Sequence, residues 1–219
     1  MAISTDAEFE QALADDLSWR RTEMSAILGQ LRTSAGSSTV SPSTRALARA
    51  SLALIYAHWE GFSKQVFETY FKLVLRRRPL AIEANDALLF EHLQYAMKGL
   101  GSGDESRRLE LVRMLRGFGE GRLRIAQSEI VDTHSNLRFK TLHAILTKLG
   151  LGSDDFVTKQ NLIDTLLCDR RNEIAHGRAL FPTPGDVEEL HSEVLLMMQT
   201  IRDLLSNAVA TKAYRSSSG

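Results

Sequence analysis

A single stretch of helical spacing runs through the first half of this chain and strongly limits its fold. Between Leu52 and Leu73 the apolar residues follow one another at intervals of 3, 4, 3, 4, 4 and 3, which places them on one face of an α-helix. The pattern predicts a long helix from about residue 43 to about residue 77, before Pro79 stops it. A helix of this length with one apolar face must bury that face against other elements.

The remaining apolar residues also follow the helical period. No segment alternates apolar and polar residues as a half-buried strand does, and the 219 residues include only 4 prolines. We therefore expect an all-α helical bundle in which residues 1–219 form a single domain. Further helices are predicted over 5–32, 136–149, 155–176 and from Val187 to Ala208.

Three segments are expected to depart from the bundle. Residues 34–42 are rich in serine, with a glycine and a proline, and predict a flexible loop. Residues 83–125 contain two short apolar stripes separated by glycines, which indicates a helical insertion. The serine-rich end, residues 213–219, is expected to be disordered.

The charge of the whole chain does not indicate a nucleic-acid-binding protein. Lysine plus arginine and aspartate plus glutamate number 27 each, so the formal net charge is zero. Arginines nevertheless cluster at 76–78 and between Arg107 and Arg124. Each cluster is compatible with a solvated surface or with phosphate binding.

Cysteine usage and hydropathy exclude several other classes of protein. Cys168 is the single cysteine, which rules out an intramolecular disulfide and a cysteine-based zinc site, so we expect a packed thiol. No early segment has the pattern of a secretory signal. No apolar run approaches the ~20 residues that a membrane-spanning helix needs. The expected location is the cytoplasm, with no membrane partner.

The last turns of the helix predicted over 155–176 carry a concentrated group of polar side chains. From Arg171 to Gly177 the sequence reads Arg-Asn-Glu-Ile-Ala-His-Gly, and the glycine is placed to end the helix. A histidine titrates near neutral pH and can move protons, and an arginine can hold a phosphate. A functional site is therefore predicted at this end of the helix. Its candidate residues are Asp169, Arg170, Arg171, Asn172, Glu173 and His176.

A count of about 100° per residue distinguishes the two adjacent arginines. Arg170 falls near the middle of the apolar stripe, so we expect a buried ion-pair partner of Glu60 or Asp164. Arg171 falls at the edge of the stripe. The stripe itself is formed by Ile163, Leu166, Leu167 and Ile174.

The same count separates Arg171 from His176 by about 140°. The two side chains can therefore meet only through the reach of the arginine, through a distortion of the last turn, or across a dimer interface. The opposite, polar side of the helix is predicted to carry Asp169, Asn172, Glu173 and His176.

A metal centre is a weaker interpretation of the same residues. Glu173-x-x-His176 and Glu188-x-x-His191 are both spaced like ligands of di-iron bundles. In those bundles, however, carboxylate-bearing helices lie between the two pairs, whereas here the first pair ends at a helix terminus. We expect no metal and no cofactor.

The candidate segment resembles the R-x4–6-H motif of the HEPN superfamily (higher eukaryote and prokaryote nucleotide-binding domains). Arg171, Asn172 and His176 match the arginine, the following polar residue and the histidine, while Arg170 would give the alternative R-x5-H spacing. Residues 54–62 resemble the second helix of the RiboL-PSP-like branch of that superfamily. Residues 135–151 are similar to the segment before the motif helix in the same branch.

The resemblance implies a metal-independent endoribonuclease that acts as a toxin or an antiviral defence effector. It implies acid–base work for His176, stabilisation of transition-state charge by Arg171 and orientation of phosphate or histidine by Asn172. Asp169 and Glu173 would orient the imidazole, and Glu60 would have a supporting role.

The partners implied by the resemblance are an RNA substrate, a second copy of the chain in a homodimer with facing motifs, and a cognate antitoxin or defence-system partner. The alternative is a non-catalytic HEPN module that binds RNA or a partner protein.

Overall fold

The structure is a computed structural model and describes residues 3–36, 41–97, 105–117, 120–126 and 130–216. Three long helices form its frame: α1 (Asp6–Ala35), α2 (Pro42–Arg76) and α8 (Pro184–Ala210), which all pack against one another. The residues described contain no β-strand. The predicted all-α fold is therefore confirmed.

Each long helix begins at a side chain that accepts a hydrogen bond from the first turn. Thr5 and Thr183 form capping boxes with Glu8 and Asp186, and Ser41 accepts from the N–H of Thr44. A cap of this kind contributes about 1 kcal/mol. The boundaries of the frame helices are thus encoded locally.

The apolar stripe of α2 lies at the centre of the core. Its members are buried against α1 and α8, and none is more than 1% exposed. Full burial of a large apolar side chain contributes about 1.5–3 kcal/mol, so this stripe supplies much of the stability. It consists of Leu52, Ile55, Trp59, Phe62, Val66, Tyr70 and Leu73.

The shorter elements lie beside this frame. A 3₁₀ turn (Ala81–Glu83) leads into residues 83–125, the predicted insertion, which contains α3 (Asp86–Met97) and α4 (Glu105–Arg116). Helix α3 packs against α5 (Phe139–Leu149). A short helix, α6 (Asp154–Val157), follows. Within the described residues no helix has the length and apolar character needed to cross a membrane.

Two of the segments expected to be irregular are partly helical or packed. Ser34 and Ala35 belong to α1 and Pro42 belongs to α2, so the predicted loop over 34–42 is shorter, and residues 37–40 lie outside the described part. The predicted disorder of 213–219 is wrong for 213–216, because Tyr214 is buried and the N–H of Ser216 donates to the carbonyl of Glu83 at 2.9 Å. Residues 217–219 lie outside the described part.

The arginine cluster at 76–78 joins the two ends of the chain. Arg76 donates to the carbonyl oxygen of Ile3 at 2.7 Å, and Arg77 contacts Asp6 and donates to the hydroxyl of Tyr214 at 3.1 Å. Arg76 and Arg77 are therefore engaged in structural contacts, which neither interpretation of the cluster, solvated surface or phosphate binding, had included.

The helix that carries the candidate residues is not a regular α-helix. The single helix predicted over 155–176 is interrupted after α6, and its second part is a π-helix over Leu162–Asp169 that continues into α7 (Arg170–Ala175). We call Leu162–Ala175 the motif helix. π-Helical segments are rare and occur often at functional sites.

Candidate functional site

Arg171 is held by residues from two other parts of the chain. Its guanidinium carbon lies 3.8 Å from the ring centroid of Tyr56, and Nη2 donates to the carbonyl oxygen of Ser135 at 3.0 Å. Nη2 also lies 3.8 Å from the Oε2 of Glu60. The side chain is only 21% exposed. Stacking and ion pairing together hold the guanidinium in one orientation.

Arg170 lies in different surroundings from those predicted. Its Nη1 is 3.5 Å from the Oδ1 of Asp186 on α8, and the side chain is 31% exposed. Glu60 contacts Arg171, and the Oδ1 of Asp164 accepts from the backbone N–H of Phe139 at 2.8 Å. The predicted burial of Arg170 and both of its predicted partners are therefore wrong.

The π-helix gives the physical reason for this exchange of roles. Its hydrogen bonds close one residue later than those of an α-helix, so each residue turns through less than 100°. The helical rotation between Ile163 and the two arginines is therefore smaller than a count of about 100° per residue gives. With this smaller rotation Arg171 faces α2 and Arg170 faces away from it. Fully buried positions of the π segment are Ile163, Leu167 and Cys168, whereas Leu166 and Ile174 are half-buried.

The segment that precedes α5 is fastened to the same region. The backbone N–H of Leu137 donates to the hydroxyl of Tyr56 at 3.0 Å, and its carbonyl accepts from Trp59 Nε1 at 3.3 Å and from the Cys168 thiol at 3.4 Å. Burial raises the pKa of Cys168 to about 12, so the thiol stays protonated. The expectation of a packed thiol is confirmed, since Cys168 is fully buried.

The loop beside Arg171 carries a histidine that the sequence analysis missed. His134 and Ser135 both have positive φ, 51° and 54°, which is uncommon for residues other than glycine. Nδ1 of His134 lies 3.0 Å from Oδ2 of Asp132, and both side chains are exposed. Because His134 adjoins Ser135, its Cα lies within about 10 Å of the Arg171 guanidinium. The sequence gives no signal that His134 lies near Arg171, because Asp-x-His in a loop is not a known motif and the two residues are far apart in the chain.

His176 lies at the C-cap of the motif helix and is exposed. The chain then closes in a Schellman motif: the N–H of Gly177 donates to Ile174 at 3.0 Å and that of Arg178 to Glu173 at 2.9 Å. Gly177 has φ +71°, which confirms the predicted helix end. Within the described residues the imidazole of His176, an exposed residue, makes no hydrogen bond or ion pair.

The two carboxylates expected to orient His176 are engaged elsewhere. Asp169 forms an ion pair with Arg138, and Oε1 of Glu173 accepts from Arg178 at 2.6 Å. Within the described residues neither carboxylate is hydrogen-bonded to the imidazole, and a role for them in orienting His176 stays a prediction. Asn172 is half-buried, and its carbonyl accepts the N–H of His176 at 2.9 Å.

Buried polar atoms near Arg171 retain hydrogen-bonding capacity. Within the described residues, Nε of Arg171 and Oδ1 of Asn136 are buried without a protein partner. An unsatisfied buried polar atom costs about 1–3 kcal/mol.

The described residues contain no group of three or more histidine, cysteine, aspartate or glutamate side chains placed to hold a metal ion. Of the two Glu-x-x-His pairs, Glu173 is paired with Arg178 and Glu188 with Arg32 at 2.8 Å. Metal independence stays a prediction, because only an assay can test it.

Comparison with known proteins identifies the family. The profile of the RiboL-PSP-HEPN family matches residues 15–207. The chain belongs to this family. A comparison with curated proteins and another with solved structures each found no match.

Membership of the RiboL-PSP-HEPN family indicates an RNase-type or otherwise RNA-related function. The contacts of Arg171 link the segments of the chain that resemble this family. The three segments that resemble HEPN proteins are far apart in sequence, and one side chain from the motif joins them: Arg171 contacts Tyr56 and Glu60 from the first segment and Ser135 from the second.

Proposed function

We propose that this protein is a metal-independent endoribonuclease in which Arg171 and His176 act on the RNA phosphate. The observation that supports it most is the contrast between the two side chains. Arg171 is held by stacking on Tyr56 and by Ser135 and Glu60, whereas the His176 imidazole lies free at the helix end. Phosphate transesterification requires a fixed cation and an accessible acid–base group, and the motif helix supplies one of each.

The chemistry uses a nucleophile that RNA itself provides. The 2′-oxygen attacks the adjacent phosphorus, the bond from phosphorus to the 5′-oxygen breaks, and the products are a 2′,3′-cyclic phosphate and a 5′-hydroxyl. His176 accepts the 2′-OH proton or gives a proton to the leaving oxygen. Arg171 stabilises the charge that develops on the phosphate oxygens. Asn172 orients the phosphate or the imidazole.

The active unit in this proposal is a homodimer. A count of about 100° per residue separates Arg171 from His176, the C-cap residue of α7, by about 140°. Two copies related by a two-fold axis would place the arginine of one chain near the histidine of the other. Such a cleft would collect two arginines and two histidines for one phosphate.

The biological role that we propose is that of a toxin or antiviral effector with a cognate antitoxin or defence-system partner. It is supported by the family alone. The alternative is a non-catalytic module that binds RNA or a partner protein, and one observation favours it: much of the Arg171 guanidinium is already occupied by Tyr56, Ser135 and Glu60.

An RNA digestion separates the two functions. The purified protein is incubated with end-labelled RNA in excess EDTA, and the product ends are identified. We expect cleavage that leaves 2′,3′-cyclic phosphates and that His176→Ala lowers at least ~100-fold. His143→Ala, at an exposed histidine on α5, is the matched control and should cleave normally.

His134→Ala tests whether the other histidine near Arg171 takes part. Loss of cleavage in His134→Ala with full activity in His176→Ala would move the acid–base role to His134. Cleavage that stops in EDTA and returns with Mg²⁺ or Mn²⁺ would refute the mechanism. Binding of RNA without any cleavage would favour the non-catalytic module.

A further inference from the structure

The loop that follows the motif helix holds a phenylalanine ring on the surface. Phe181 is 55% exposed, although Leu180 before it is half-buried and Pro182 after it is buried. Nη1 of Arg49 on α2 donates to the carbonyl oxygens of Arg178 at 2.7 Å and Leu180 at 2.6 Å. The loop backbone is therefore tied to α2, and the exposed ring is held in place.

Two arginines of α2 lie over this ring, and a third precedes it in the loop sequence. The guanidinium carbons of Arg45 and Arg49 lie 5.7 and 5.5 Å from its centroid. Arg178, whose side chain is 67% exposed, lies nearby in sequence and pairs with Glu173. Among the described residues, Glu173 is the one acid in an ion pair with these three arginines. Local charge is thus positive on a chain whose formal net charge is zero.

The patch adjoins the proposed site. Arg178 follows His176 by two residues, and the Schellman motif fixes the chain between them. Any strand bound along the loop would therefore pass the end of the helix that carries the imidazole.

We propose that Phe181, Arg45, Arg49 and Arg178 form a docking platform for single-stranded RNA. The flat ring stacks on an unpaired base, and the arginines bind the flanking phosphates. A nucleotide combines a flat π-face with an anion, which is the combination that this surface complements. An acidic peptide would supply negative charge for the arginines but has no flat group that needs the Phe181 ring. The inference rests on the proposed function and deepens it, because the platform would hold the strand that His176 acts on.

The test measures binding without cleavage. A fluorescein-labelled, single-stranded 2′-O-methyl RNA has no free 2′-OH, and its Kd is measured by fluorescence anisotropy for the full-length protein. Phe181→Ala should raise Kd roughly 5- to 150-fold, the range for loss of one stacked base. Phe181→Tyr should stay within a few-fold of the wild type. Phe90→Ala, at a phenylalanine that is 56% exposed on α3, is the matched control and should leave Kd unchanged.

Arg45→Gln tests the phosphate contacts. If Arg45 binds one phosphate, its loss should reduce the slope of log Kd against log salt by about 0.7. Phe181→Leu keeps the apolar bulk but lacks the aromatic face, so it should bind as weakly as Phe181→Ala. It keeps the test decisive if the alanine variant does not fold.

Equal affinity in Phe181→Leu, Phe90→Ala and the wild type would overturn the platform. So would binding of a duplex with the same dependence on Phe181, or capture of a poly-glutamate peptide in place of the oligonucleotide. Failure of the proposed function is distinguishable from these results. If the protein binds RNA through Phe181 but never cleaves it, the docking platform is supported and the ribonuclease function is refuted. If it cleaves RNA but binds equally well without Phe181, only the docking platform is refuted.

Discussion

Arg170 and Arg171 are neighbours in the chain, yet their side chains stabilise different contacts. Arg171 stacks on Tyr56 in a mostly buried position, whereas Arg170 joins the motif helix to Asp186 near the surface. Hydrogen bonds from the side chain and the backbone of Thr183 hold the pKa of Asp186 below its usual value, so it is ionised at neutral pH and can pair with Arg170. The two arginines are therefore expected to respond differently to truncation.

We predict that Arg171→Ala lowers both stability and activity. A desolvated cation–π contact contributes about 2 kcal/mol, and Glu60 would lose its partner, so the free energy of unfolding should fall by about 1–3 kcal/mol. RNA cleavage should fall at least ~100-fold with the loss of the transition-state cation. Urea denaturation followed by circular dichroism and the EDTA-resistant digestion measure the two effects.

Arg170→Ala is the matched control for this pair. A half-exposed ion pair contributes about 0–1 kcal/mol, so the variant should unfold near the wild-type midpoint and cleave within a few-fold of the wild type. Normal cleavage by Arg171→Ala together with inactive but folded Arg170→Ala would show that Arg170 is the catalytic arginine.

Two irregular parts of the motif helix, its π-helical segment and its Schellman motif, determine the positions of the candidate side chains. The π segment determines which arginine faces α2, and the Schellman motif determines where His176 lies relative to the loop that carries Phe181. Gly177 has φ +71°, and a Cβ added there would meet no atom within 4 Å. Glycine is therefore favoured at position 177 by the positive φ of the backbone and not by a lack of space for a side chain.

We predict opposite effects of alanine at two glycines. Gly177→Ala should lower the free energy of unfolding by about 1–2 kcal/mol, because an L-residue pays this cost in the left-handed region. Gly29→Ala, at an exposed position inside α1 that is also open to a Cβ, should raise it by up to about 1 kcal/mol through helix propensity. Urea denaturation of both variants checks the signs. A stabilising Gly177→Ala would refute the helix end described above.

At the scale of the whole molecule, our proposal divides the site between two copies of the chain. The motif helix directs Arg171 toward α2 and leaves His176 exposed at its end. In the proposed homodimer, a second copy would bring the histidine that acts on the phosphate bound by the arginine.

We predict that two inactive variants restore activity when they are combined. Arg171→Ala and His176→Ala chains, co-expressed with different tags and purified through both, form a mixed dimer with one intact arginine and one intact histidine. Digestion of RNA by this dimer should recover part of the activity that each homodimer lacks. Each variant purified alone serves as the control. A protein that is monomeric and fully active at nanomolar concentration would exclude the shared site.

The residue pattern alone determined the parts of the structure that depend on local interactions. The α2 stripe, the glycine end of the motif helix and the buried Cys168 follow from apolar spacing and backbone preference, and these operate within a few residues. The HEPN resemblance located the Arg171–His176 segment for the same reason, because its spacing lies within one helix end.

Only the tertiary structure decided the surroundings of those residues. The π-helix shifts the angle of every later side chain, and a count that assumes a regular helix cannot detect it. Tyr56, Ser135 and Glu60 meet Arg171 across long distances in sequence, and Phe181 meets Arg45 and Arg49 in the same way. Such contacts depend on how helices pack, and packing is a property of the folded chain that local spacing does not contain.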